Sequence, residues 1–443
     1  MKYFIKTFGC QMNVSDSERI AAFLEQHNFS ISDNIKEADL AIFNTCGIKQ
    51  TAENRAYSMI NNLRKAESKV KSQKSKAIIM TGCLANRADV QKRMKSKVDL
   101  FTEIKHFEKD FTRIFSTPSK IERDYLSIIP KHTNNFQAFV PIMTGCNNFC
   151  SYCVVPNARG REVSRPAEEI IKEIKDLITK GYKSITLLGQ NVNSYKSPTT
   201  INNQLSTKNA QEEINFSKLL KKINSVPGKF WISFVSSHPK DMSDELIETV
   251  ASCKKVCEWI HLPMQAGDDE ILRKMNRKYT QKHYLEQVKK IRETFVKIRG
   301  KSVLISVSSD IIVGFPSETK KQFLESAAVM EKSKFDMVFF GQYSPRPETV
   351  AWKMKDNVSQ KEKFRRENFL NEILKKTAFA NNKKYVGKTF EVLIEKEKNN
   401  AYFGKTRTQK NVKIISNKKI QIGTFVKVEI TKANIWNLEG KIK

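Results

Sequence analysis

The first 115 residues alternate short apolar runs with segments of helical periodicity. The apolar runs at residues 3–8, 39–44 and 77–81 have the length and continuity of buried parallel strands. Between them, residues 14–26 and 52–66 repeat apolar side chains at helical spacing. This alternation predicts a doubly wound α/β domain over residues 1–115. The polar, mixed stretch that follows at residues 103–137 is either a linker or an extension packed on this domain.

A longer alternation of strands and helices is predicted over residues 132–372. Its apolar strands are expected at residues 138–143, 184–188, 230–235, 258–262, 303–313 and 337–342. The clearest intervening helix covers residues 167–180, with Pro166 at its start and Gly181 as its stop. Six βα units predict a full or partial parallel (βα)6 barrel, a fold that keeps its chemistry at the carboxyl ends of the strands.

The pattern changes again to short alternating strands over residues 378–443. Segments 389–395, 401–404, 412–415, 424–431 and 434–440 predict a small OB-like β-barrel. This region has 15 Lys and Arg residues against 5 Glu, interleaved with Tyr402, Phe403 and Trp436. The combination favours an RNA-binding barrel. Core aromatics beneath a merely solvated basic surface are the alternative.

The composition of the chain indicates which partner and which cellular location to expect. A net charge of +31 over 443 residues favours a polyanionic partner, of which nucleic acid is the commonest. No run of about 18 apolar residues predicts a membrane span. The chain starts directly in a strand-like segment without a signal or transit peptide, so a cytoplasmic location is expected. In the cytoplasm, cysteines are expected to be metal or redox ligands rather than to form disulfides, and the chain has eight of them.

The loop after the first barrel strand contains Cys146, Cys150 and Cys153 in the spacing CxxxCxxC, with Tyr152 before the last cysteine. Three neighbouring thiolates can hold a [4Fe–4S] cluster and leave one iron open, as a catalytic cluster requires. A zinc knuckle or packed core cysteines remain as alternatives. Zinc prefers four protein ligands, and no nearby His or second cysteine pair completes such a set.

A second set of cysteines lies in the first domain. Cys10, Cys46 and Cys83 each directly follow one of its three predicted strands. Because the carboxyl ends of parallel strands share one edge of a sheet, these cysteines are expected to converge on a second three-cysteine cluster. Cys253 and Cys257, four residues apart, are instead predicted to be buried structural thiols on one helix face.

Other distinctive stretches also follow predicted barrel strands. They include Gln190-Asn191, the sequence SSHP at residues 236–239, Gln265-Ala266-Gly267, and Gly314-Phe315-Pro316. For His238 and His261, a structural hydrogen bond and a catalytic role both remain open. Residues 197–213 are polar and rich in Asn, Thr and Ser, which predicts a surface insertion.

With these motifs in place, the chain resembles the methylthiotransferases of the radical S-adenosylmethionine superfamily, in their order of cluster domain, radical barrel and C-terminal TRAM barrel. Within them it is similar to the MiaB branch, the tRNA-2-methylthio-N6-dimethylallyladenosine synthases. The similar strings are GCQMN at 9–13, DSE at 16–18, CSYCVVP at 150–156, RGREVSRP at 159–166, LGQNVNSY at 188–195 and SSHP at 236–239. The chain departs from the branch at Asn157-Ala158 and at Ala266, both beside the expected site.

The resemblance implies two [4Fe–4S] clusters and S-adenosylmethionine as cofactors. It assigns the radical cluster to Cys146, Cys150 and Cys153, and an auxiliary sulfur-delivering cluster to Cys10, Cys46 and Cys83. It assigns S-adenosylmethionine contacts to Tyr152, Gln190, Asn191, Gln265 and Gly314. The expected reaction puts a methylthio group on carbon 2 of N6-isopentenyladenosine at position 37, in the anticodon loop of tRNA.

Alternative substrates within the same enzyme class are threonylcarbamoyl-adenosine 37 of tRNA and an aspartate of a ribosomal protein. Gln11-Met12 stands where the ribosomal branch is expected to have Pro-Lys, and Val163-Ser164-Arg165 where the threonylcarbamoyl branch usually reads Arg-Ser-Arg. A non-catalytic RNA-binding iron–sulfur redox sensor is the alternative from another class. Expected partners are a reductase or flavodoxin-like electron donor and an iron–sulfur or sulfur carrier, and the chain is expected to be a monomer.

Overall fold

A computed structural model describes residues 1–48, 50–69, 75–115, 125–198 and 213–443. The chain divides into two compact units. The first contains Met1–Asn134, Phe139–Phe149 and Cys153–Arg165, and the second contains Asn135–Ala138, Cys150–Tyr152 and Pro166–Lys443. The predicted insertion at residues 197–213 lies almost wholly outside the described residues.

The first unit is built on a five-stranded parallel sheet in the order β2-β1-β3-β4-β5. Its strands are β1 (Lys2–Thr7), β2 (Ser30–Ile31), β3 (Leu40–Thr45), β4 (Ala77–Gly82) and β5 (Leu100–Phe101). Its helices are α1 (Gln11–Gln26), α2 (Gln50–Glu67), α3 (Ala88–Met94) and α4 (Phe107–Phe115). Alternate strand residues pack into two separate cores, one on each face of the sheet, which confirms the doubly wound fold.

The stretch after this sheet is a packed extension. Phe107 and Phe111 of α4 are buried with Phe23 of α1, and the Phe23 and Phe111 ring centroids are 5.6 Å apart. Tyr125 and Leu126 join the same core. Of the two interpretations, the packed extension is therefore correct for the described part of residues 103–137.

The chain then passes through β6 (Gln137–Pro141) and the antiparallel pair β7 (Met143–Thr144) and β8 (Val163–Ser164), with α5 (Val155–Arg159) before β8. The predicted strand at 138–143 is thus two strands, because Pro141 ends β6 and the chain turns into β7.

A partial barrel of six strands begins with β6. The other five strands are β9 (Ser184–Leu188), β10 (Trp231–Phe234), β11 (Trp259–His261), β12 (Ser306–Val313) and β13 (Met337–Gln342). They form two three-stranded sheets, β10-β9-β6 and β11-β12-β13, joined by a parallel bridge between Ile232 and Val256. The pairings between β9 and β10 and along β11, β12 and β13 are parallel, as the βα pattern predicts.

One face of these sheets is covered by helices. The helices are α6 (Ala167–Thr179), α7 (Phe216–Asn224), α8 (Asp244–Ser252), α9 (Asp269–Lys274), α10 (Gln281–Arg299), α11 (Lys320–Ser333) and α12 (Gln360–Lys383). Tyr284 of α10 donates to Leu262 O at 2.8 Å, and Phe216 of α7 packs edge-on against Phe234 at 5.2 Å. Tyr284 Oη also lies 3.3 Å from Ser309 Oγ. Ser309 and Phe234 therefore mark the helix-covered face, and their strand neighbours point the opposite way.

Residues 389–442 close into a five-stranded barrel in the order β14-β15-β16-β18-β17. Its strands are β14 (Thr389–Lys398), β15 (Ala401–Thr406), β16 (Asn411–Ile415), β17 (Phe425–Ala433) and β18 (Leu438–Ile442). Of the three aromatics taken as RNA contacts, Tyr402 is only 4% exposed and belongs to the barrel core, because its strand position points inward. Phe403 points outward and Trp436 is 41% exposed.

The small barrel packs on the amino ends of the parallel strands. Arg407 forms an ion pair with Glu258, directly before β11, and Lys410 pairs with Asp336, directly before β13, at 2.7 Å. Phe425 packs against Trp231, the first residue of β10, with ring centroids 4.7 Å apart. The amino edge of the partial barrel is therefore occupied by protein.

Cys253 and Cys257 are both buried, but they do not share a helix face. Helix α8 ends at Ser252, Cys253 has an extended conformation as its C-cap, and Cys257 lies in the approach to β11. Among the described residues, no helix is both long enough and apolar enough to cross a membrane.

Candidate iron–sulfur and cofactor site

Three cysteines of the first unit follow adjacent strands of its sheet. Cys10 follows β1, Cys46 follows β3 and Cys83 follows β4, and none of these three cysteines forms a disulfide among the described residues. A Cβ atom added to Gly9 would stand 2.6 Å from Cβ of Cys46, and one added to Gly47 would stand 3.3 Å from Cβ of Cys83. The two glycines therefore let the three cysteine loops approach one another closely.

A buried amide network holds these loops in place. Asn13 donates from Nδ2 to Asn44 Oδ1 and to Thr45 O, both at 2.9 Å, and Asn44 donates back to Asn13 O at 2.8 Å. The thiol of Cys10 lies 3.2 Å from Asn13 Oδ1. Asn13 and Asn44 are not among the predicted site residues. Asn44 could have been identified from the sequence, because it is a polar residue near the end of an otherwise apolar strand.

A buried ion pair lies beside the same cysteines. Arg159 donates from Nη2 to Asp16 Oδ2 at 2.7 Å, and the side chains are 4% and 1% exposed. Burial alone would lower the pKa of Arg159, but Asp16 and Cys83 raise it well above its ordinary value. Desolvation raises the pKa of the Cys10 thiol, and the positive charge of Arg159 opposes that shift. Arg159 therefore favours the thiolate form that an iron cluster requires.

The second cysteine loop follows β7. Cys146 is buried and its amide donates to Gly160 O at 3.2 Å, whereas Cys150 and Cys153 are half-buried. Gly145 has a φ of +74°, and a Cβ there would stand 2.0 Å from Arg161 O. Only glycine fits this turn, which returns the chain against the segment that follows the cysteines.

The segment after the last cysteine packs against the N-terminal cysteines within the first unit. The position that a Cβ of Gly47 would occupy is 3.3 Å from Cβ of Cys83 and 3.4 Å from Cγ2 of Val154, the residue after Cys153. Asn86 donates from Nδ2 to Asn157 O at 2.6 Å. Cys153 and Cys83 therefore lie in segments that share a contact.

The donor chemistry of these thiols fits an iron–sulfur cluster. A [4Fe–4S] cluster takes one thiolate on each of its liganded irons. Each set provides three cysteines, and the positive charge of Arg159 near Cys10 favours the thiolate form that such a cluster requires. Among the residues that the structure describes, no three His, Cys, Asp or Glu side chains are gathered as ligands of one metal ion.

The loops after β9 and β10 present polar atoms that lack a partner. The buried atoms Gln190 Oε1, Asn191 Oδ1, Ser237 Oγ and His238 Nε2 make no hydrogen bond within the described protein. The two loops are neighbours, because Val192 donates from its amide to Ser236 O at 3.3 Å. Buried polar atoms left unpaired in one place indicate a ligand that would pair them. Gln190 and Asn191 were predicted contacts for S-adenosylmethionine, and Ser237 and His238 extend that set.

The His238 ring is neutral. Its Nδ1 accepts from the Lys240 amide at 3.2 Å, so the proton is on Nε2, which is the atom without a partner. Desolvation, together with the positive charges of Arg277 and Lys240, lowers the pKa of His238 to about 2. His238 can therefore donate a hydrogen bond from Nε2 to a ligand but does not titrate near neutral pH.

Gln265 and Gly314, two further predicted contacts of S-adenosylmethionine, both contact other parts of the protein. Gln265 is buried with a φ of +68°, and its amide donates to Asp310 O at 2.8 Å. A Cβ on Gly314 would stand 2.4 Å from Cγ of Lys363, so the space beside this glycine is filled by that side chain. Gly314 also donates to Glu318 Oε2 at 2.8 Å. The contact of both residues with S-adenosylmethionine stays a prediction.

The open face of the partial barrel has a polar and aromatic strip. Asp310 lies opposite Phe339 in register, and His261 Nε2 is 3.5 Å from Asp310 Oδ2. Phe339 is 57% exposed, and a Cβ on Gly341, two residues along the same strand, would meet nothing within 4 Å. These residues alternate with the helix-covered positions, so they face the barrel interior. The strip can accept a flat heterocycle, by stacking on Phe339 and by hydrogen bonding to Asp310.

Three family models match separate parts of the chain. Residues 2–103 match the uncharacterized protein family UPF0004, residues 140–330 match the radical SAM superfamily, and residues 383–443 match the TRAM domain. The TRAM match begins at the end of α12 and includes all five strands of the small barrel.

Curated relatives match the chain over its full length. One from Clostridium novyi is 40% identical, over 100% of this chain and 96% of the relative. One from Thermoanaerobacter pseudethanolicus is 39% identical, over 99% of this chain and 92% of the relative. Both are named tRNA-2-methylthio-N(6)-dimethylallyladenosine synthase.

A solved structure shares the fold. The radical S-adenosylmethionine methyltransferase TsrM from Kitasatospora setae, with tryptophan and a SAM analog bound, superposes with a TM-score of 0.54. The superposition covers 79% of this chain and 74% of that one, at 13% sequence identity. This likeness extends to the fold alone.

Proposed function

The chain belongs to the tRNA-2-methylthio-N(6)-dimethylallyladenosine synthase family of radical S-adenosylmethionine enzymes, and we propose that it modifies carbon 2 of N6-dimethylallyladenosine at position 37 of tRNA. It is an enzyme that acts on tRNA and uses S-adenosylmethionine with an iron–sulfur cluster. The names of its relatives favour this substrate over threonylcarbamoyl-adenosine, a ribosomal aspartate or a redox-sensing role.

The proposal assigns each cysteine set a separate task. Cys146, Cys150 and Cys153 would hold the radical cluster, and Cys10, Cys46 and Cys83 would hold an auxiliary cluster. When bound, the first cluster with S-adenosylmethionine supplies a radical able to take hydrogen from an unactivated aromatic C–H bond, and the second supplies sulfur. The observation that carries the proposal is the proximity of Cys83 and Val154, which lie 3.3 and 3.4 Å from the position that a Cβ of Gly47 would occupy. This proximity matters because sulfur must reach the carbon where hydrogen is removed.

The residues of the second unit would bind and orient the remaining groups. The unpaired atoms of Gln190, Asn191, Ser237 and His238 would hydrogen-bond the polar groups of S-adenosylmethionine. The target adenine would stack on Phe339 and donate its N6–H to Asp310, with His261 keeping that carboxylate in place. These contacts would exclude water from the reacting carbon.

The small barrel would bind the RNA through its outer surface. Phe403 points outward between Lys396 and Lys413 on the neighbouring strands, and the Lys396 ammonium lies 5.6 Å from the Phe403 ring centroid. An aromatic ring between two cations suits a stacked base with its phosphates. An external electron donor and a sulfur carrier would complete the cycle, with the chain acting as a monomer in the cytoplasm, where its tRNA substrate is found.

Nucleoside mass spectrometry of tRNA from cells lacking this protein tests the function. The methylthio mark should disappear, with accumulation of unmodified N6-dimethylallyladenosine, and return with the wild-type gene. Complementation with Cys83→Ala should fail, while Cys253→Ala, a buried thiol outside both sets, should restore the mark. An unchanged mark in the deletion strain would refute the proposed function.

A separate pair of variants tests the proposed adenine-binding site. Phe339→Ala should weaken productive binding of an anticodon stem-loop and raise KM, because the stacking surface is lost. Phe364→Ala removes a phenylalanine that is similarly exposed on α12 and is the matched control. Equal KM values for the two variants would exclude the barrel strip as the adenine site.

A further inference from the structure

Resting on the proposed function, we infer that Arg277 is a positioning residue for the radical cluster, the buried counter-charge that holds and tunes it through Cys150. Arg277 donates from Nη1 to Cys150 Sγ at 3.5 Å, and the residue is 8% exposed. It follows helix α9 and was not singled out by any motif in the sequence.

The charge of Arg277 has no carboxylate partner. Its other contacts are Nη2 to Pro263 O at 2.9 Å, Nε to Tyr279 Oη at 3.1 Å, and the face of the Tyr279 ring. Three other buried arginines, Arg87, Arg159 and Arg366, each pair with a carboxylate, at 3.0, 2.7 and 2.7 Å. In the described parts of the chain, no Asp or Glu lies within ion-pair distance of Arg277. A buried cation of this kind requires a compensating anion.

A cluster on Cys150 supplies that anion. A [4Fe–4S]²⁺ core held by three thiolates carries a net negative charge, and one-electron reduction increases it. A fixed cation donating to a ligand sulfur therefore stabilises the reduced form more than the oxidised form. Hydrogen bonds to cluster sulfurs and local charge are among the factors that set such potentials.

The chain around Cys150 is anchored to the same turn as Arg277. Ser151 donates from its amide to Met275 O at 3.0 Å and from Oγ to Lys274 O at 2.8 Å. Ala351 donates from its amide to Ser151 O at 2.7 Å. Hydrogen bonds of Ser151 therefore hold the segment that carries Cys150 against the turn that carries Arg277, as a residue that positions a cluster requires.

The test is a redox titration of the radical cluster, followed by electron paramagnetic resonance without S-adenosylmethionine or tRNA. The full chain with Cys10, Cys46 and Cys83 replaced by Ala isolates this cluster. Arg277→Gln should move the midpoint to more negative potential, with the equilibrium constant for reduction falling about tenfold, or about 59 mV for one electron. Arg277→Lys should retain part of the wild-type value. Arg273→Gln, an exposed neighbour on α9, should leave the potential unchanged.

Each outcome decides the inference. Equal potentials in Arg277→Gln and wild type would overturn it. Loss of the cluster in Arg277→Gln but not in Arg277→Lys would support it, whereas loss in both would show that side-chain shape, not charge, is what matters. A wild-type protein without any cluster on Cys146, Cys150 and Cys153 would instead refute the proposed function, which keeps the two failures distinct.

Discussion

Removal of Arg159 should expose the energetic cost of the buried pair beside the N-terminal cysteines. The only hydrogen bond that Asp16 receives from a described side chain comes from Arg159, and its Oδ1 has no partner. Arg159→Met would leave a fully buried carboxylate uncompensated, at a cost of about 3–5 kcal/mol. Asp16→Asn would leave the guanidinium in the same position, and the double variant, which buries no charge, should cost less than the two single changes combined.

Thermal unfolding of the full chain measures this cycle. A loss of about 3–5 kcal/mol should lower the first melting transition by roughly 10 °C for a unit of this size. The double variant should recover at least about 2 kcal/mol as coupling energy. Single variants that melt within about 2 °C of wild type, or effects that simply add, would refute the view that the pair is a desolvated unit.

Further changes test other parts of the account. Gly145→Ala should abolish cluster binding at Cys146, Cys150 and Cys153, because its Cβ would stand 2.0 Å from Arg161 O. Gly160 has a similar positive φ but open space around it, so Gly160→Ala should retain the cluster. The iron content of the two variants measures the difference. Arg407→Ala should lower the melting temperature by breaking the contact of the small barrel with Glu258, whereas Lys405→Ala, two residues earlier in β15, should change it little. Because folding lowers the pKa of His238 to about 2, the unfolded chain binds the extra proton, so stability should fall as pH drops below about 6.5. His238→Asn should flatten that fall in a series of melts, and an identical pH profile would contradict the assignment. Lys396→Ala with Lys413→Ala should weaken tRNA binding and reduce its salt dependence, and an unchanged salt slope would exclude that surface.

The layered architecture could be predicted because each element has its own periodicity. The parallel strands β9 and β13 begin and end at the predicted residues, since they are continuous apolar runs bounded by polar turns. The predicted strand at residues 138–143 runs past the end of β6, because Pro141 ends that strand. The short edge strands β2 and β5 have too few residues for a periodic signal. The convergence of Cys10, Cys46 and Cys83 followed from topology alone.

The supporting residues could not be predicted from spacing. Arg277 lies 127 positions from Cys150, and Arg159 lies 143 positions from Asp16, so only the fold brings them together. Tyr402 was misassigned because its neighbour Phe403 is the outward-facing residue of that strand, and the single-residue register of a strand decides which side chain is exposed. Ser237 and His238 belonged to a noted motif, but their lack of hydrogen-bond partners is a property of three-dimensional structure.

Deletion of the small barrel would not be a clean test of RNA binding. Its removal would uncover Trp231 and Phe136, which are buried against Leu393 and Phe425. It would also leave Glu258 with only Arg299 as an ion-pair partner among the described residues. Surface variants such as those at Lys396 and Lys413 test the RNA contact without disturbing the fold.

Iron content of the anaerobically reconstituted chain tests the central claim most directly, that two separate cysteine sets each hold one cluster. The wild type should bind about eight irons, as two [4Fe–4S] clusters require. Replacing Cys10, Cys46 and Cys83 by Ala should leave about four, and replacing Cys146, Cys150 and Cys153 should also leave about four. Wild-type protein that saturates at about four irons, or a triple variant that keeps the full complement, would contradict the account.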